Sequence, residues 1–216
     1  MPKIFECLVA KSAITDFIPL NKHILAYSTT NNGISFLDYY WCEVKSNLFH
    51  EKLNSSVKVL TFSPNSQMLA FVNDKTIYIV DLQTKKTIYT INIKDADISL
   101  LEFDPSSTYL IAGTEHGRVL QYRYNNLSLL SRLCSFPHDR NKIKFKENEN
   151  YVSSFAFYEN TLACSGLGGA IFIIDLYSQA NKSIITHHKT RVNAMCFIDK
   201  NTLLSANDDG SVDITL

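Results

Sequence analysis

Neither sign of charge is in excess: 21 Lys and Arg residues balance 21 Asp and Glu residues in a chain of 216. Such a chain sets up no global field toward nucleic acid or anionic lipid, so any charged docking surface on it must be local. No apolar run approaches the roughly 20 residues that cross a bilayer as a helix, which counts against membrane insertion. The N-terminal stretch lacks the charge-free apolar core and small-residue cleavage site of a secretory signal, because Glu6 interrupts Ile4-Phe5-Glu6-Cys7-Leu8-Val9. Cysteine is sparse and odd in number. Cys7, Cys42, Cys134, Cys164 and Cys196 are widely scattered, which argues against a disulfide framework and for reduced, mostly buried thiols in a cytoplasmic protein. No Cys-x-x-Cys or His-x-x-x-His pair is present to seat a metal. Nor does any segment sustain an apolar period of 3.6 residues, so helices are expected to be nearly absent.

What is present is a repeat. Val57–Asn65, Met68–Phe71 and Ile77–Leu82 form one copy, and Ile98–Ser106, Tyr109–Gly113 and Val119–Tyr122 a second. Val152–Phe157, Thr161–Ser165 and Ile171–Leu176 form a third, and Val192–Phe197, Leu203–Ala206 and Asp209–Ile214 a fourth. A weaker copy opens the chain with Ala13–Ile18, Ile24–Ser28 and Gly33–Asp38. Each holds short runs rich in Val, Ile, Phe and Tyr, separated by Asn, Asp, Gly, Ser and Pro. That composition predicts β-strands joined by tight turns. A further strand follows in most copies, as in Lys86–Ile91 and Ser128–Leu133. The expected fold is all-β. Asp38, Asp81, Arg123, Asp175 and Leu216 hold one slot, at the end of the third strand, and are spaced 43, 42, 52 and 41 residues apart. Apart from one insertion, this is the roughly 40–45-residue pitch of a four-stranded propeller blade.

On these residues the chain resembles the WD40-repeat family. The family's opening-strand signal, an apolar pair before Phe-Ser-Pro-Asp-Gly, is nearly intact in Leu60-Thr61-Phe62-Ser63-Pro64-Asn65. Its Asp-Gly-Thr-Val-x-Ile-Trp-Asp run is echoed by Asp209-Gly210-Ser211-Val212-Asp213-Ile214-Thr215-Leu216, and His188 matches the repeat's histidine. The tryptophan of the Trp-Asp pair is absent: Leu37, Val80, Tyr122, Ile174 and Thr215 replace it, and the aspartate is kept only as Asp38, Asp81 and Asp175. The resemblance implies a β-propeller of four-stranded antiparallel blades with five WD40-like repeats. It also implies that the family's buried Asp-His-Ser-Trp network is incomplete here, with His188, Ser205 and Asp209 able to form part of it.

One propeller domain is expected over residues 1–216, with units near 12–50, 56–94, 97–133, 151–187 and 191–216 and an insertion at 134–150. Two readings of the ring stay open. Either it is part of a seven-bladed ring, or it is a five-bladed ring closed by a strand at residues 4–9.

Chemistry finds little purchase. Gly166-Leu167-Gly168-Gly169 precedes a strand, whereas a phosphate loop must open a helix, so a turn explains the glycines better. His187 and His188 are adjacent and would point oppositely on an extended chain, which suits a structural histidine and not a metal pair. Cys164-Ser165 sits mid-strand, in a slot assigned to Ala70-Phe71 and Ala112-Gly113 in sister copies, and reads as packing. No catalytic, cofactor-binding or metal-binding residue is expected.

The insertion is the leading partner-binding segment. In it Arg140, Lys142, Lys144 and Lys146 form a basic stripe interleaved with Ile143 and Phe145. An alternating Lys-Ile-Lys-Phe-Lys run presents one charged and one apolar face, fit to dock an acidic peptide by strand addition or charge pairing. A solvated loop whose lysines discourage aggregation is the competing explanation. The expected function is a non-enzymatic scaffold for protein–protein interaction and complex assembly, with other proteins or peptides as partners. The alternative is a binding or sensor module of a longer protein whose activity lies outside this chain. Nucleic-acid recognition through the basic insertion is disfavoured by zero net charge and the lack of an aromatic stacking motif.

Overall fold

Turn-formers at regular intervals cut the chain into short β-branched and aromatic runs, and each run becomes a strand. The computed structural model describes residues 10–31, 33–41, 43–45, 53, 55–63, 65, 67–93, 97–123, 129–135, 151–185, 188 and 190–215. Among the described residues there are 19 strands and no helix. They form five sheets in which neighbours in sequence are neighbours in space and every pairing is antiparallel.

The chain divides into two compact units, Met1–Asn92 and Ile93–Leu216. The first holds a sheet of β1 (Ile14–Pro19), β2 (Ile24–Thr29), β3 (Gly33–Asp38) and β4 (Glu43–Lys45). Its second sheet contains β5 (Val57–Ser63), β6 (Met68–Asn73), β7 (Thr76–Asp81) and β8 (Lys86–Asn92). The second unit holds β9 (Ile98–Phe103), β10 (Tyr109–Thr114), β11 (Arg118–Arg123) and β12 (Leu129–Ser135). Next come β13 (Val152–Tyr158), β14 (Thr161–Gly166), β15 (Ile171–Asp175) and β16 (Ala180–Ile185), and then a sheet of β17 (Val192–Phe197), β18 (Leu203–Asn207) and β19 (Val212–Thr215).

Burial is graded across a sheet. β6 and β10 are buried at every residue, whereas β8 alternates and β16 is almost wholly exposed. Inner strands packed on both faces have no polar side, which is why their sequences read as unbroken apolar runs. The first strand of one sheet lies against the first strand of the next, β1 on β5 in the first unit and β9 on β13 and β13 on β17 in the second. In the first unit Ala26 and Ile34 pack on Val57, Leu60, Leu69 and Phe71, and Phe71 stacks on Tyr78 at 5.0 Å. All five sheets carry a register shift near the start of the first strand, at Ile14/Asp16, Val57/Leu60, Val152/Ser154 and Val192/Ala194 and, in β9, between Ile98 and Leu100 opposite Gly113/Thr114 of β10. A bulge repeated at one position increases local twist in every sheet alike.

Two sequence assignments shift. Register pairs Phe155 with Cys164, Leu60 with Phe71 and Leu101 with Ala112. Cys164 therefore corresponds to Phe71 and Ala112, and Ser165 to Val72 and Gly113; the Ala70-Phe71 alignment was one residue out of step. β12 also runs through Cys134 and Ser135, two residues into the segment read as insertion. Residues 4–9 lie outside the described residues.

Candidate functional site

The retained aspartates of the repeat are turn caps. Asp38 Oδ1 accepts from the amides of Tyr40 and Trp41, Asp81 Oδ1 from Gln83 and Thr84, and Asp175 Oδ1 from Tyr177 and Ser178, all at 2.7–3.4 Å. A carboxylate on the last residue of the third strand satisfies two amides of the turn that follows. The Ser178 amide, ahead of Lys182 at 3.2 Å, holds the Asp175 carboxyl below its ordinary range. The positions that lost the aspartate, Arg123 and Leu216, precede or lie among residues outside the description.

His188 and Ser205 are brought together. Ser205 Oγ stands 3.1 Å from His188 Nε2, and His188 Nδ1 stands 2.9 Å from Asp213 Oδ2. The carboxylate is therefore Asp213, on β19, and not Asp209. Asp209 Oδ1 accepts from the hydroxyl and the amide of Ser211 within the β18–β19 turn, at 2.6 and 2.9 Å, and the hydroxyl bond above all holds its carboxyl below the ordinary range. The reason is alternation: Asp213 lies opposite Ser205 across the β18–β19 pair. Both therefore sit on the face that His188 covers. Asn207 Nδ2 donates to the same Asp213 oxygen at 2.8 Å.

Ser-His-Asp in that order of contacts is also the arrangement of a hydrolase triad. Burial separates the two. Ser205 is 1% exposed and His188 7%, so no substrate carbonyl can reach the hydroxyl. Ser205 occupies a mid-strand slot filled by Cys164, Ala112 and Phe71 in sister sheets, whereas a hydrolase serine is presented on an exposed turn. The triplet acts as a pin, fastening the segment before β17 to β18 and β19.

A second polar device recurs at the second residue of the first strand. Thr15 Oγ1 donates to Val57 O at 2.6 Å, Ser99 Oγ to Val152 O at 2.9 Å, and Ser153 Oγ to Val192 O at 2.7 Å. Each joins one sheet to the carbonyl that opens the next. Asp16 Oδ2 adds an acceptor for the Leu60 amide at 2.7 Å; burial raises its carboxyl pKa, against those backbone donors. The glycine run does form the β14–β15 turn. Gly169 has a φ of +77°, and an added Cβ would lie 2.6 Å from Thr190 O and 2.7 Å from His188 O. Of the described cysteines, Cys134 and Cys164 are buried with sulfurs 3.4 Å apart, and Cys196 is exposed. Burial pushes the Cys164 thiol well up, making it a packing residue and not a nucleophile.

Arg140, Lys142, Ile143, Lys144, Phe145 and Lys146 lie outside the described residues. The structure instead exposes a cluster that sequence reading passed over. Tyr39, Tyr40 and Trp41, 47%, 65% and 68% exposed, fill the β3–β4 turn. Tyr40 meets Trp41 edge-on at 4.8 Å and His23 edge-on at 5.6 Å. With the β1–β2 turn they border an open cleft of ≈ 780 Å³ lined by Lys22, His23, Ile24, Tyr40 and Trp41, among others. The available signal was the chain's one tryptophan, placed in a turn and not in the Trp-Asp slot.

Two family models match parts of the chain: the WD domain, G-beta repeat, over residues 180–214, and the dipeptidyl peptidase IV (DPP IV) N-terminal region over residues 22–98. The β-propeller domain of Cps50 (Swd1) from Myceliophteria thermophila is similar in structure, with a TM-score of 0.77 at 14% identity, covering 98% of this chain and 67% of that one. No curated protein matches the sequence.

Proposed function

We propose that this chain, a β-propeller of WD40-type repeats, is a non-enzymatic platform in the cytoplasm on which other proteins assemble. Its five sheets are blades of that fold, and residues 1–216 act as one domain in this proposal. The observation that carries it is how the side chains are used. Groups that resemble chemistry are engaged in holding strands together: the Ser205–His188–Asp213 pin, the Asp38, Asp81 and Asp175 caps, and the buried Cys164. Large apolar side chains meanwhile stand exposed at turns, at Tyr40, Trp41, Tyr177 and Ile198. Exposed aromatics on a stiff sheet framework suit macromolecular docking, since Trp and Tyr dominate interface energetics. The basic stripe from Arg140 to Lys146 is a second docking segment in this reading.

Affinity capture from lysate tests it, comparing wild type with a chain in which Lys142, Lys144 and Lys146 are changed to Glu. The reading expects a defined set of proteins, diminished by the charge reversal. An unchanged set removes the stripe as a docking site, and no retained protein at all removes the platform. A serine-directed fluorophosphonate provides the enzymatic counter-test, and labelling at Ser205 would overturn the non-enzymatic reading.

The match to a region described as N-terminal supports a second reading, in which the chain is the binding module of a longer protein with activity elsewhere. The mass of the natural protein distinguishes the two.

A further inference from the structure

We propose that the cleft between the β1–β2 and β3–β4 turns binds a proline-rich segment in the extended polyproline conformation, with an acidic residue beside the prolines. This rests on the platform reading for its setting and names the chemistry of one partner.

Tyr40 and Trp41 pack edge to face, at 83° and 4.8 Å, and both stay about two-thirds exposed, so ring faces remain open to the cleft. Proline rings are flat, rigid and apolar, and a polyproline helix presents them on a ridge with a three-residue repeat. Such a segment has no internal hydrogen bonds, so its carbonyls seek donors. Donors are at hand: among the described residues neither the Trp41 indole N–H nor the Tyr40 hydroxyl has an acceptor, whereas the Tyr39 hydroxyl already donates to Lys22 O. Asp38 holds the turn that carries both rings by bonding the Tyr40 and Trp41 amides, and is itself 5% exposed.

Charge then selects the flank. Two charged residues line the cleft: Asp38, whose carboxylate is buried against the Tyr40 and Trp41 amides, and Lys22, which has no carboxylate partner among the described residues and is the exposed charge. Its ammonium repels a cationic ligand that the rings alone could have held, and attracts an acidic one. A preformed extended ligand also loses little conformational freedom on docking, which suits a shallow, exposed site.

Trp41 is the only tryptophan, so its emission reports on this cleft alone. The probe is a synthetic peptide of about twelve residues, mostly proline with an aspartate near one end. The control has glycine and serine in place of proline at equal length and charge. A saturable blue shift is expected with the first, and binding at least about tenfold weaker with the second. By calorimetry, Tyr40→Ala and Trp41→Ala each weaken binding by about tenfold or more while leaving the unfolding midpoint in place, since both side chains are exposed. Lys22→Glu should cost a few-fold with the acidic peptide and gain it back when the aspartate is replaced by lysine.

No shift up to about 1 mM peptide overturns the proposal. So does equal binding of the glycine-serine control, or a shift with phosphatidylcholine vesicles and none with the peptide, which would assign the rings to a bilayer surface. The platform reading fails separately. If Tyr40→Ala retains every captured protein and the peptide does not bind, the platform stands and this site falls. If the peptide binds while no protein is retained, the site stands and the platform falls.

Discussion

The central sheet of the second unit, β13–β16, has two faces that pack very differently. On one face Phe155, Leu162, Cys164, Phe172 and Ile174 meet Tyr109, Ile111, Val119 and Leu133 in a broad apolar cluster. On the other, Ala156, Ala163 and Ile171 meet Val192 and Leu203 in a smaller cluster, with Ile173, Ile185, Met195 and Phe197 only partly buried around it. Consecutive residues of β13 and β14 supply opposite seams, as a period of two requires: Phe155 then Ala156, Leu162 then Ala163. The broad seam is held mainly by apolar area, with the Ser99 hydroxyl bond and a buried bond from Gln121 Nε2 to Leu176 O at 2.9 Å beside it. The narrow seam has small residues, and neighbouring backbone comes close enough for polar contact. There Ser153 reaches Val192 O, Ser165 lies 3.2 Å from Ser153, Gly169 lies under the carbonyls of His188 and Thr190, and His188 pins β18. Equivalent repeats therefore need not be held by the same forces. A seam short of apolar area is closed by short-range geometry.

Truncating the broad seam should have the largest effect. Leu162→Ala is expected to destabilise by about 3 kcal/mol, from lost transfer energy and a residual cavity, measured by chemical denaturation. In the narrow seam the sensitive residue is a glycine. Gly169→Ala imposes a positive φ on a side chain that would also collide with two carbonyls, for about 2 kcal/mol in the same measurement. If Gly169→Ala were neutral, the narrow seam would not be as tight as described.

Glu102 gives the broad seam a pH dependence. It shares a face of β9 with Leu100, which packs on the broad cluster, and burial raises its carboxyl from 4.5 to about 7. The folded state therefore holds a proton that the unfolded chain releases between those values. The stability of the neutral form is complete below about pH 4.5, declines above it and is lost as pH rises through about 7. Glu102→Gln, which stays neutral, should be more stable than wild type by about 1–2 kcal/mol at pH 8 and nearly equal to it at pH 4. A constant difference across that range would sink the assignment.

The smallest effect belongs to the hydroxyl bonds. Ser153→Ala should cost about 1 kcal/mol, because it removes one donor from a buried carbonyl. Ser99→Ala is expected to cost less than that, since apolar area already holds its seam.

The repeat pitch, the strand order and the antiparallel pairing were legible because turn residues recur at one interval and each strand between them is too short to be anything else. The turn role of Asp38, Asp81 and Asp175 was partly legible, as a slot at a strand end whose purpose the amide bonds then supplied. Which carboxylate His188 would meet was not. Asp209 and Asp213 both lie near it in sequence, and only the side on which β19 presents each residue separates them. The alignment of Cys164 with Ala70, though not that with Ala112, slips by one because the turn joining Ser63 to Met68 is longer than that joining Tyr158 to Thr161, and spacing alone does not place the register.

By itself, then, the sequence determined a chain of four-strand modules, because local turn chemistry and β propensity act over a few residues and need no distant partner. Tertiary structure alone decided which face of a strand is crowded, which polar groups lose water and which aromatics keep it. Burial and pairing depend on what lies across the seam, and a linear pattern buried on both faces carries no mark of which neighbour each side chain will meet.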